Sequence, residues 1–553
     1  MVRCRVIEVS VVTGSMSMHP STGVPRREGG QIVRAGAMLF VGLLASRLLG
    51  VGRDVVISAQ FGTSGDLDLY IAAFRIPDLI FTLISGGALG SALVPVFARA
   101  WNGGADGDPP DPDYLDHLAR AVLTAVTLIA SAGALTAMVF APYLVEIVGA
   151  GFSPDARLRL VGLVRLMLVQ PIFLGAGEVL TRYLNVRGHF AVTAFAPAVY
   201  TLAIMVGAAV LGPILGTTGL ALGVVAGAIG FLVIQLVASL RLGISRSPHL
   251  ADGRLVRADL WEILTLMVPR LVGQGAVQLS FVATTRLATY LPSGRVASLN
   301  YAWALMMLPL GAFAMTLANA AFPTFAAQAA RGDRDALAVT GRQATATILC
   351  VMVPAMAVVG VFGALGIEVL FARRAFTTDS VSMTASALAA YAVGLPAHGV
   401  LEVQMRLSFA LRDTRTPVAI GVVAMVVNVL LATVLVEPLG HVGIALALSV
   451  AATIESVLLG VVLHRRLPGL HTHALGDTTV RVLVATIMAT GVALMIQDQV
   501  LAYGLPVVLR AVIVIGFFGV TYVAGAAILR VRELGVIFDT QIRPRLARAR
   551  MSG

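Results

Sequence analysis

The stretch that decides the fold is LASRLLGVGRDVVISAQFG, from Leu44 to Gly62. It has the length and apolar content of a membrane-spanning helix, yet it contains Arg47, Arg53 and Asp54. Placing one charged side chain near the centre of a bilayer costs about 2.5 kcal/mol or more on insertion scales. Charges kept at this cost predict a functional site inside the membrane.

The rest of the chain has the composition of a multi-pass membrane protein. Of its 553 residues, 58% are hydrophobic and 12% are charged, and the mean hydropathy is +0.89. Soluble domains carry about 25% charged residues. Most apolar runs have about 20–30 residues, which suits spanning helices, and they lack the alternation of a membrane β-barrel. The expected fold class is an all-α polytopic membrane protein.

Apolar runs bounded by charges or by Gly and Pro clusters predict about fourteen transmembrane helices. They lie at about 34–60, 68–98, 118–149, 157–182, 190–213, 216–240, 260–290, 297–328, 339–370, 385–410, 416–437, 440–463, 480–501 and 505–530. Arginines concentrate in alternate loops, and the positive-inside rule places these loops and both chain ends in the cytoplasm. Because the net charge of +11 is spread over such loops, a nucleic-acid partner is not expected.

A weak internal repeat divides the first twelve predicted spans into two halves. SRLLGVG at 46–52 aligns with PRLVGQG at 269–275, and GTTGLAL at 216–222 aligns with GHVGIAL at 440–446. The two alignments have almost the same offset along the chain, which favours a true repeat over two chance matches. Since an even number of spans separates equivalent points, we expect two parallel six-helix lobes with a site between them.

The repeat defines the expected domains. They are a disordered cytoplasmic tail at 1–33, an N-lobe at 34–241, a C-lobe at 260–465, two further spans within 480–530 and a basic cytoplasmic tail at 531–553. Cys4 and Cys350 are the only cysteines, so neither a disulfide framework nor a cysteine-rich metal site is expected. The sequence contains no nucleotide-binding, zinc-protease or serine-hydrolase motif, which favours a transporter without a cofactor over an enzyme.

The charges in the first span favour an anionic ligand. Arg47 and Asp54 lie on one stripe of a helix, and Arg53 is turned by about 120° from Arg47. Asp54 can orient Arg53 but cannot neutralise Arg47. The first span therefore keeps a net positive charge. Guanidinium groups bind phosphate in a bidentate geometry, so a pyrophosphate-linked lipid is a natural ligand. The alternative is that these arginines pair with carbonyls or carboxylates, or extend to an interface.

Further charges lie in other predicted spans. The second span adds Arg75, the seventh adds Arg270 and Arg286, and the tenth adds Arg406. Two carboxylates, Glu402 and Glu455, could bind a proton or Na⁺, or Glu402 could pair with Arg406. Residue spacing alone leaves these alternatives open.

Six sequence blocks carry a resemblance to a known family. In chain order they are SRLLGVGRD, DLYIAAFRIPDL, GGALGSALVPVFA, LNVRGHFAVTAFAPAVY, LFARRAF and FALRDTRTPVAIGVV. Together they resemble the MurJ (MviN) lipid II flippases of the multidrug/oligosaccharidyl-lipid/polysaccharide exporter superfamily, over about residues 34–465.

The resemblance implies a two-lobed transporter in the bacterial plasma membrane. It implies movement of undecaprenyl-pyrophosphate-linked disaccharide-pentapeptide to the outer leaflet for peptidoglycan synthesis, through a central cationic cavity. It also implies a lipid-tail groove at the last two spans, contacts with membrane lipids, and cell-wall synthesis proteins as partners. The candidate substrate-binding residues are Arg47, Arg53, Asp54, Asp68, Arg75 and Arg270, followed by Ser46, Arg286 and Arg406.

The chain departs from the family pattern at several expected cavity charges. The second span reads Phe81, Thr82 and Gly86 where the family often has two arginines and a glutamate, and YAWALMMLP has Ala304 at an arginine position. The resemblance implies a Na⁺ site with carboxylates in the seventh and eleventh spans, but the interiors of those spans contain none here, so the membrane potential is an alternative driving force to Na⁺ or H⁺. Rival interpretations are another glycolipid flippase, a drug exporter of the superfamily, or a non-transporting scaffold for cell-wall assembly.

Overall fold

The computed structural model describes residues 48–84, 88–102, 111–244, 254–470 and 473–531, and these residues form helices with no strand. The first half contains α1 (48–61), α2 (Gly65–Ile84), α3 (Ala88–Asn102), α4 (Pro112–Val139), α5 (Ala141–Val148), α6 (Pro154–Met167), α7 (Gln170–Val186), α8 (Phe190–Val206), a π-helical turn (Gly207–Leu211), α9 (Gly212–Leu215) and α10 (Thr217–Arg241).

The second half begins with the longest described helix. It contains α11 (Arg254–Thr289), α12 (Arg295–Pro309), a π-helical turn (Leu310–Ala314), α13 (Met315–Ala330), α14 (Arg334–Val361), α15 (Gly363–Phe371), α16 (Thr378–Ala392), α17 (Leu395–Ala410), α18 (Arg415–Leu439) and α19 (His441–Arg466). Two more helices follow, α20 (His473–Ala502) and α21 (Val507–Ile528).

The helices confirm an all-α polytopic membrane protein. In the described part of the chain, ten helical segments are long and apolar enough to cross a membrane, and α16 with α17, bent by 46°, makes up to eleven. The three other predicted spans, at 34–60, 68–98 and 260–290, fall on α1, on α2 with α3, and on α11. These are the segments that carry the charges at Arg53, Asp54 and Arg75. The count of fourteen spans stays a prediction.

Helix ends repeat between the two halves. Asp111 caps α4 and Asp333 caps α14, each accepting a hydrogen bond from the backbone N–H three residues later. Ser153 caps α6 and Thr377 caps α16 in the same way, from extended backbone. Such side chains satisfy N–H groups that have no partner within the helix. The separation of each pair of caps along the chain is close to the offset of the sequence repeat.

Glycines mark the same repeat at a tight helix junction. Gly216 and Gly440, related by that offset, precede α10 and α19 with φ of 58° and 57°, a backbone conformation that favours glycine. A Cβ on Gly219 would lie 2.5 Å from a leucine carbonyl oxygen eight residues earlier, and one on Gly443 would lie 2.1 Å from the equivalent atom. Helix caps and this glycine junction therefore recur at the offset that the two heptapeptides predict.

α11 lies between the halves. It packs against α2 and α3 of the first half and against α18 of the second, and α2 also contacts α12. One hydrophobic core runs through both halves, so they share buried surface. α20 and α21 pack against each other and against α14 and α15, where the Tyr522 hydroxyl donates to the carbonyl of Cys350 at 2.6 Å.

Candidate functional site

A cavity of about 330 Å³ lies between α1 and the helices of the second half. Its charged lining comes from Arg53 and Asp54 on α1, whereas the lining from α12 and α13 is largely apolar and includes Met307 and Met315. Both halves therefore contribute walls to one internal space, as expected for a site between two lobes. Among the described lining residues, the charged side chains all come from the first half.

Arg53 and Asp54 form an ion pair at this wall. Arg53 donates to the same carboxylate oxygen, Oδ1 of Asp54, from Nε at 2.9 Å and from Nη2 at 2.8 Å. The two side chains are 34% and 16% exposed, so the pair is half-buried and reaches the cavity. The prediction that Asp54 orients Arg53 is confirmed. Since this geometry occupies one edge of the guanidinium, the remaining N–H groups are free to bind a ligand.

Three predicted site residues cannot be placed. Arg47 and Ser46 lie outside the described residues, because the description of α1 begins at residue 48. Arg270 lies within α11, but its side chain is also outside the description. Their participation in the site stays a prediction.

Ala304 lines the same cavity as Arg53. This position is where the resembling family carries an arginine, so the substitution removes a cation from the cavity wall itself. Phe81, the other departure, packs instead against the buried cluster that contains Leu174 and Phe231.

Beside Phe81, Thr82 and Asp78 both accept hydrogen bonds from the side-chain amide of Gln278, at 2.9 and 3.0 Å. Thr82 is one of the positions where the family often has a charged residue. Here a hydrogen-bonded network without an arginine joins α2 to α11.

Asp68 does not line the described cavity. It binds backbone groups of the other half of the chain. Its side chain is buried, and its two carboxylate oxygens accept hydrogen bonds from Gly294 N at 2.6 Å and Ala297 N at 2.7 Å. These donors belong to the first turn of α12, whose positive dipole end favours a carboxylate. Asp68 therefore fixes α2 of the first half to α12 of the second.

Other contacts between the halves surround Asp68. The Thr63 and Ser380 hydroxyls are 2.7 Å apart, and Ala375 N donates to the carbonyl of Ala59 at 3.2 Å. Gly294 has φ of 90° and approaches the backbone of Thr63 so closely that a Cβ would lie 2.3 Å from its carbonyl oxygen. We call this set the Asp68 contacts. They close the molecule at the end where α1 finishes and α2 begins.

A second set joins the halves at the opposite end. Arg99 of α3 donates to Glu262 of α11 at 2.6 Å, and the Tyr114 hydroxyl of α4 donates to Asp259 at 2.7 Å. We call these the Arg99 contacts. Polar contacts between the halves are thus present at both ends of α2 and α3. No sequence pattern predicts these partners, because they are far apart in the chain.

Arg75 lies in a separate, smaller cavity of about 30 Å³. Its Nε donates to Thr285 Oγ1 at 3.0 Å, and its guanidinium carbon lies 5.1 Å from the centre of the Phe281 ring. Arg75 is therefore a contact between α2 and α11. It does not line the 330 Å³ cavity that contains Arg53.

The two remaining predicted arginines have partners within the protein. Arg286 is exposed, and it donates at 3.2 Å to the carbonyl of Ile147 at the end of α5. Arg406 pairs with Glu402 one turn earlier and donates to Asn319 at 3.1 Å, as the alternative interpretation of that pair predicts. Neither lines the cavity with Arg53. Among the described residues, no three His, Cys, Asp or Glu side chains form a group that could hold a metal.

Comparison with known proteins identifies the relatives of this chain. The family model described as lipid II flippase MurJ matches residues 57–515. A probable lipid II flippase MurJ from Bdellovibrio bacteriovorus is 28% identical over 541 residues, covering 93% of this chain and 99% of the relative. The lipid II flippase MurJ of Burkholderia cenocepacia is 27% identical over 429 residues, covering 76% and 82%.

Solved structures show the same fold. The structure titled lipid II flippase MurJ, inward closed conformation, superimposes with a TM-score of 0.74 at 20% identity, covering 89% of this chain and 98% of that one. An inward-facing multidrug resistance MATE family transporter of the MOP superfamily gives a TM-score of 0.63 at 14% identity, covering 78% and 98%. At these identities the structures establish the architecture alone.

Proposed function

We propose, from the premise that this chain belongs to the lipid II flippase MurJ family, that it moves lipid II across the membrane for cell-wall synthesis. The family model covers most of the chain, and the Bdellovibrio bacteriovorus relative, of which 99% is covered, carries the name probable lipid II flippase MurJ. The function is transport, without catalysis. The observation that supports a site most directly is the cavity between the halves, with Arg53 presented into it.

The proposed head-group site centres on Arg53. Its guanidinium is held in a fixed plane by Asp54, and this fixed plane suits bidentate recognition of a pyrophosphate oxygen pair. Arg47 precedes it in the same predicted span and is proposed as the second cation. Because Asp54 compensates much of the charge of Arg53, Arg47 would supply the net attraction. Weak net charge also permits release, which a translocation cycle requires.

The apolar part of the cavity is proposed to contact the lipid and sugar portions of the substrate. Met307, Met315 and the other apolar side chains from α12 and α13 form the wall opposite the ion pair. Flexible methionines adapt their shape to a bulky ligand. The two C-terminal helices, α20 and α21, are proposed to hold the polyprenyl tail against their exposed apolar surfaces. Exposed side chains there include Ile487, Met495 and Val520.

The proposed cycle is alternating access. With both chain ends in the cytoplasm of a bacterium, the Asp68 contacts lie on the outer side and the Arg99 contacts lie on the inner side. Breaking the inner set would admit the head group from the cytoplasmic leaflet, and breaking the outer set would release it. The membrane potential supplies about 2.3 kcal/mol per charge per 100 mV. Na⁺ or H⁺ coupling is a second proposed energy source.

Complementation of a strain depleted of its own lipid II flippase tests this proposal. Wild type should restore growth, whereas Arg53→Ala should lower flipping by about 10–100-fold, since a charge-assisted hydrogen bond contributes about 1.5–3 kcal/mol. The matched control is Arg159→Ala, which removes an arginine whose side chain is 62% exposed and which pairs with Asp66 at the surface. Membrane expression of each variant is quantified in parallel.

The outcomes separate substrate from site. Rescue by wild type and Arg159→Ala, with failure of Arg53→Ala, supports both. If an expressed Arg53→Ala variant rescues growth fully, lipid II remains the proposed substrate, but Arg53 is not part of the head-group site. Failure of an expressed wild type would contradict lipid II transport.

Ala304 favours a second candidate function, flipping of a polyprenyl-linked lipid with a less anionic head group. An alanine on the cavity wall lowers the positive charge that a pyrophosphate would meet. Ala304→Arg separates the two candidates in a vesicle flipping assay with lipid II as substrate. Faster lipid II flipping by Ala304→Arg supports the second candidate, and slower or unchanged flipping supports lipid II as the native substrate.

A further inference from the structure

The guanidinium of Arg75 is a cation without a carboxylate partner among the described residues. It has five N–H donors, of which Nε is bonded to Thr285 Oγ1 at 3.0 Å. The nearby acid on its own helix, Asp78, is not within ion-pair distance and accepts instead from Gln278 at 3.0 Å. One face of the guanidinium covers the Phe281 ring. The remaining N–H groups therefore need an acceptor that the described side chains do not supply.

Further donors line the same 30 Å³ cavity. They are the amide of Asn300, the indole N–H of Trp303 and the hydroxyl of Tyr391, and none of these forms a side-chain hydrogen bond within the described chain. Tyr391 as a whole residue is only 6% exposed. Burying polar groups without partners is costly. Four donor side chains and no carboxylate among the described residues that line this cavity suit an anion.

The size of the cavity selects the class of anion. One water needs about 10–15 Å³, so a cavity of 30 Å³ suits a halide-sized ion better than a phosphate with its five heavy atoms. We propose that this cavity is a binding site for chloride, with Arg75 as its cation and Asn300, Trp303 and Tyr391 as further donors. The site is separate from the cavity of Arg53.

The position of the site gives chloride a structural effect. Arg75 belongs to α2 in the first half, and its partners lie on α11, α12 and α16 in the second half. An anion shared between them holds the two halves together. A ligand that binds one arrangement more tightly shifts the population toward it. Chloride therefore stabilises the arrangement in which α2 packs against α11.

The first test measures thermal unfolding of the purified full-length protein in detergent. Sodium chloride is titrated against sodium gluconate at constant ionic strength. We expect chloride to raise the unfolding midpoint saturably, by about 2 °C at tenfold excess over the dissociation constant. Arg75→Gln should abolish the chloride-specific rise. The control Arg159→Gln, at an exposed arginine, should retain it.

The second test reads the site directly. Trp303 is one of three tryptophans, and in a Trp101→Phe/Trp261→Phe background its fluorescence reports on the cavity. Bromide should quench Trp303 saturably, chloride should compete with it, and Arg75→Lys should weaken bromide binding at least tenfold, because a point charge replaces the planar donor fork. This readout works even where Arg75→Gln reduces expression.

Three results would overturn the proposal. One is an equal rise of the unfolding midpoint in chloride and in gluconate, which would mean that water alone satisfies the donors. Another is a full chloride response in Arg75→Gln. The third is displacement of bromide by inorganic phosphate at equal ionic strength, which would assign the cavity to a phosphate group. None of these measurements depends on lipid II, so the proposed transport function is tested separately.

Discussion

The two halves of the molecule share their helix ends but not the Arg53–Asp54 ion pair. Gly216 of the first half and Gly440 of the second have the same backbone conformation. In contrast, Arg53 and Asp54 on α1 correspond, in the alignment of the repeat, to Ala276 and Val277 on α11. The repeated features are those that direct the chain from one helix to the next. The Arg53–Asp54 pair therefore has no counterpart in the second half, whereas the position of Arg47 has an arginine there too, Arg270.

The halves also differ in how their helix ends are tied. In the first half Arg187 donates to Asp116 at 2.7 Å and lies over the rings of Trp101 and Tyr183, with only 11% of its side chain exposed. In the second half the corresponding loop uses Asp413 with Arg466, whose side chain is 44% exposed. A buried, stacked pair is shielded from solvent ions, whereas an exposed pair is screened. The second half should therefore respond more to salt and pH.

Removal of the Asp68 carboxylate should produce the largest loss, because it joins the halves. Asp68→Ala leaves the N–H groups of Gly294 and Ala297 buried without partners. We expect the free energy of unfolding to fall by about 3 kcal/mol. Thermal unfolding in detergent measures this. The neighbouring control Asp66→Ala breaks only a surface pair and should change it by about 0.5 kcal/mol or less; equal losses in both variants would refute the capping role.

The glycine junctions test whether the halves are structural equivalents. Gly219→Ala and Gly443→Ala each place a methyl group against a leucine carbonyl in the preceding segment. Each should destabilise by about 2 kcal/mol, as overpacking of a tight contact does. Gly133→Ala on α4, where nothing lies within 4 Å, serves as the control. Thermal unfolding of the three variants measures these changes in stability. If only one of the two junction variants is destabilised, the two junctions are not packed equivalently.

A smaller effect should distinguish the loops before α8 and α18. Gly188 and Arg412, which the repeat relates to each other, both have positive φ, at 80° and 58°. The left-handed conformation costs a non-glycine residue about 1–2 kcal/mol. Arg412→Gly should therefore stabilise the protein by about 1 kcal/mol, and Gly188→Ala should destabilise it by a similar amount. Opposite shifts of the unfolding midpoint are expected, and shifts of the same sign would contradict this account.

The fold class and the repeat were predictable because they depend on local patterns. Apolar runs predict spans, and a glycine required by its positive φ, such as Gly216, leaves a mark in the sequence at each copy. The Arg53–Asp54 pair was predictable for the same reason, since adjacent residues on one helix must lie close. Ala304 was flagged only through the family resemblance, and the structure places it on the cavity wall.

The partners of Asp68 and Arg75 were not predictable from spacing. Asp68 binds backbone N–H groups from the other half of the chain, and backbone donors have no signature in the sequence. Arg75 shares its cavity with side chains from three helices of the second half. Both were expected to bind substrate, because a charge in a span is visible in sequence while its neutral partners are not. Tertiary packing decides between ligand binding and a structural contact.

The smallest expected effect concerns Asp413, in the loop between α17 and α18. Partial burial favours the neutral carboxyl, but hydrogen bonds from the side chain and backbone of Thr416 and from Arg466 outweigh it and lower the pKa of Asp413 to about 2. A carboxyl with a lowered folded-state pKa stabilises the protein above its ordinary pKa of 3.8. That stabilisation is lost as the pH falls from about 4 to about 2.

Asp413→Asn should therefore lower the free energy of unfolding by about 0.5–1 kcal/mol at pH 7, a value reduced because Arg466 is largely exposed to solvent screening. The difference between wild type and Asp413→Asn, measured as unfolding midpoints, should shrink on acidification below pH 4. Arg466→Gln should lose part of the same free energy of unfolding, because the hydrogen bonds from Thr416 remain. Its free energy of unfolding should also depend less on salt concentration than that of wild type. If the difference in unfolding midpoint between wild type and Asp413→Asn does not depend on pH, Asp413 acts through packing. The contact at this loop would then be as insensitive to pH as the buried Arg187–Asp116 pair of the first half.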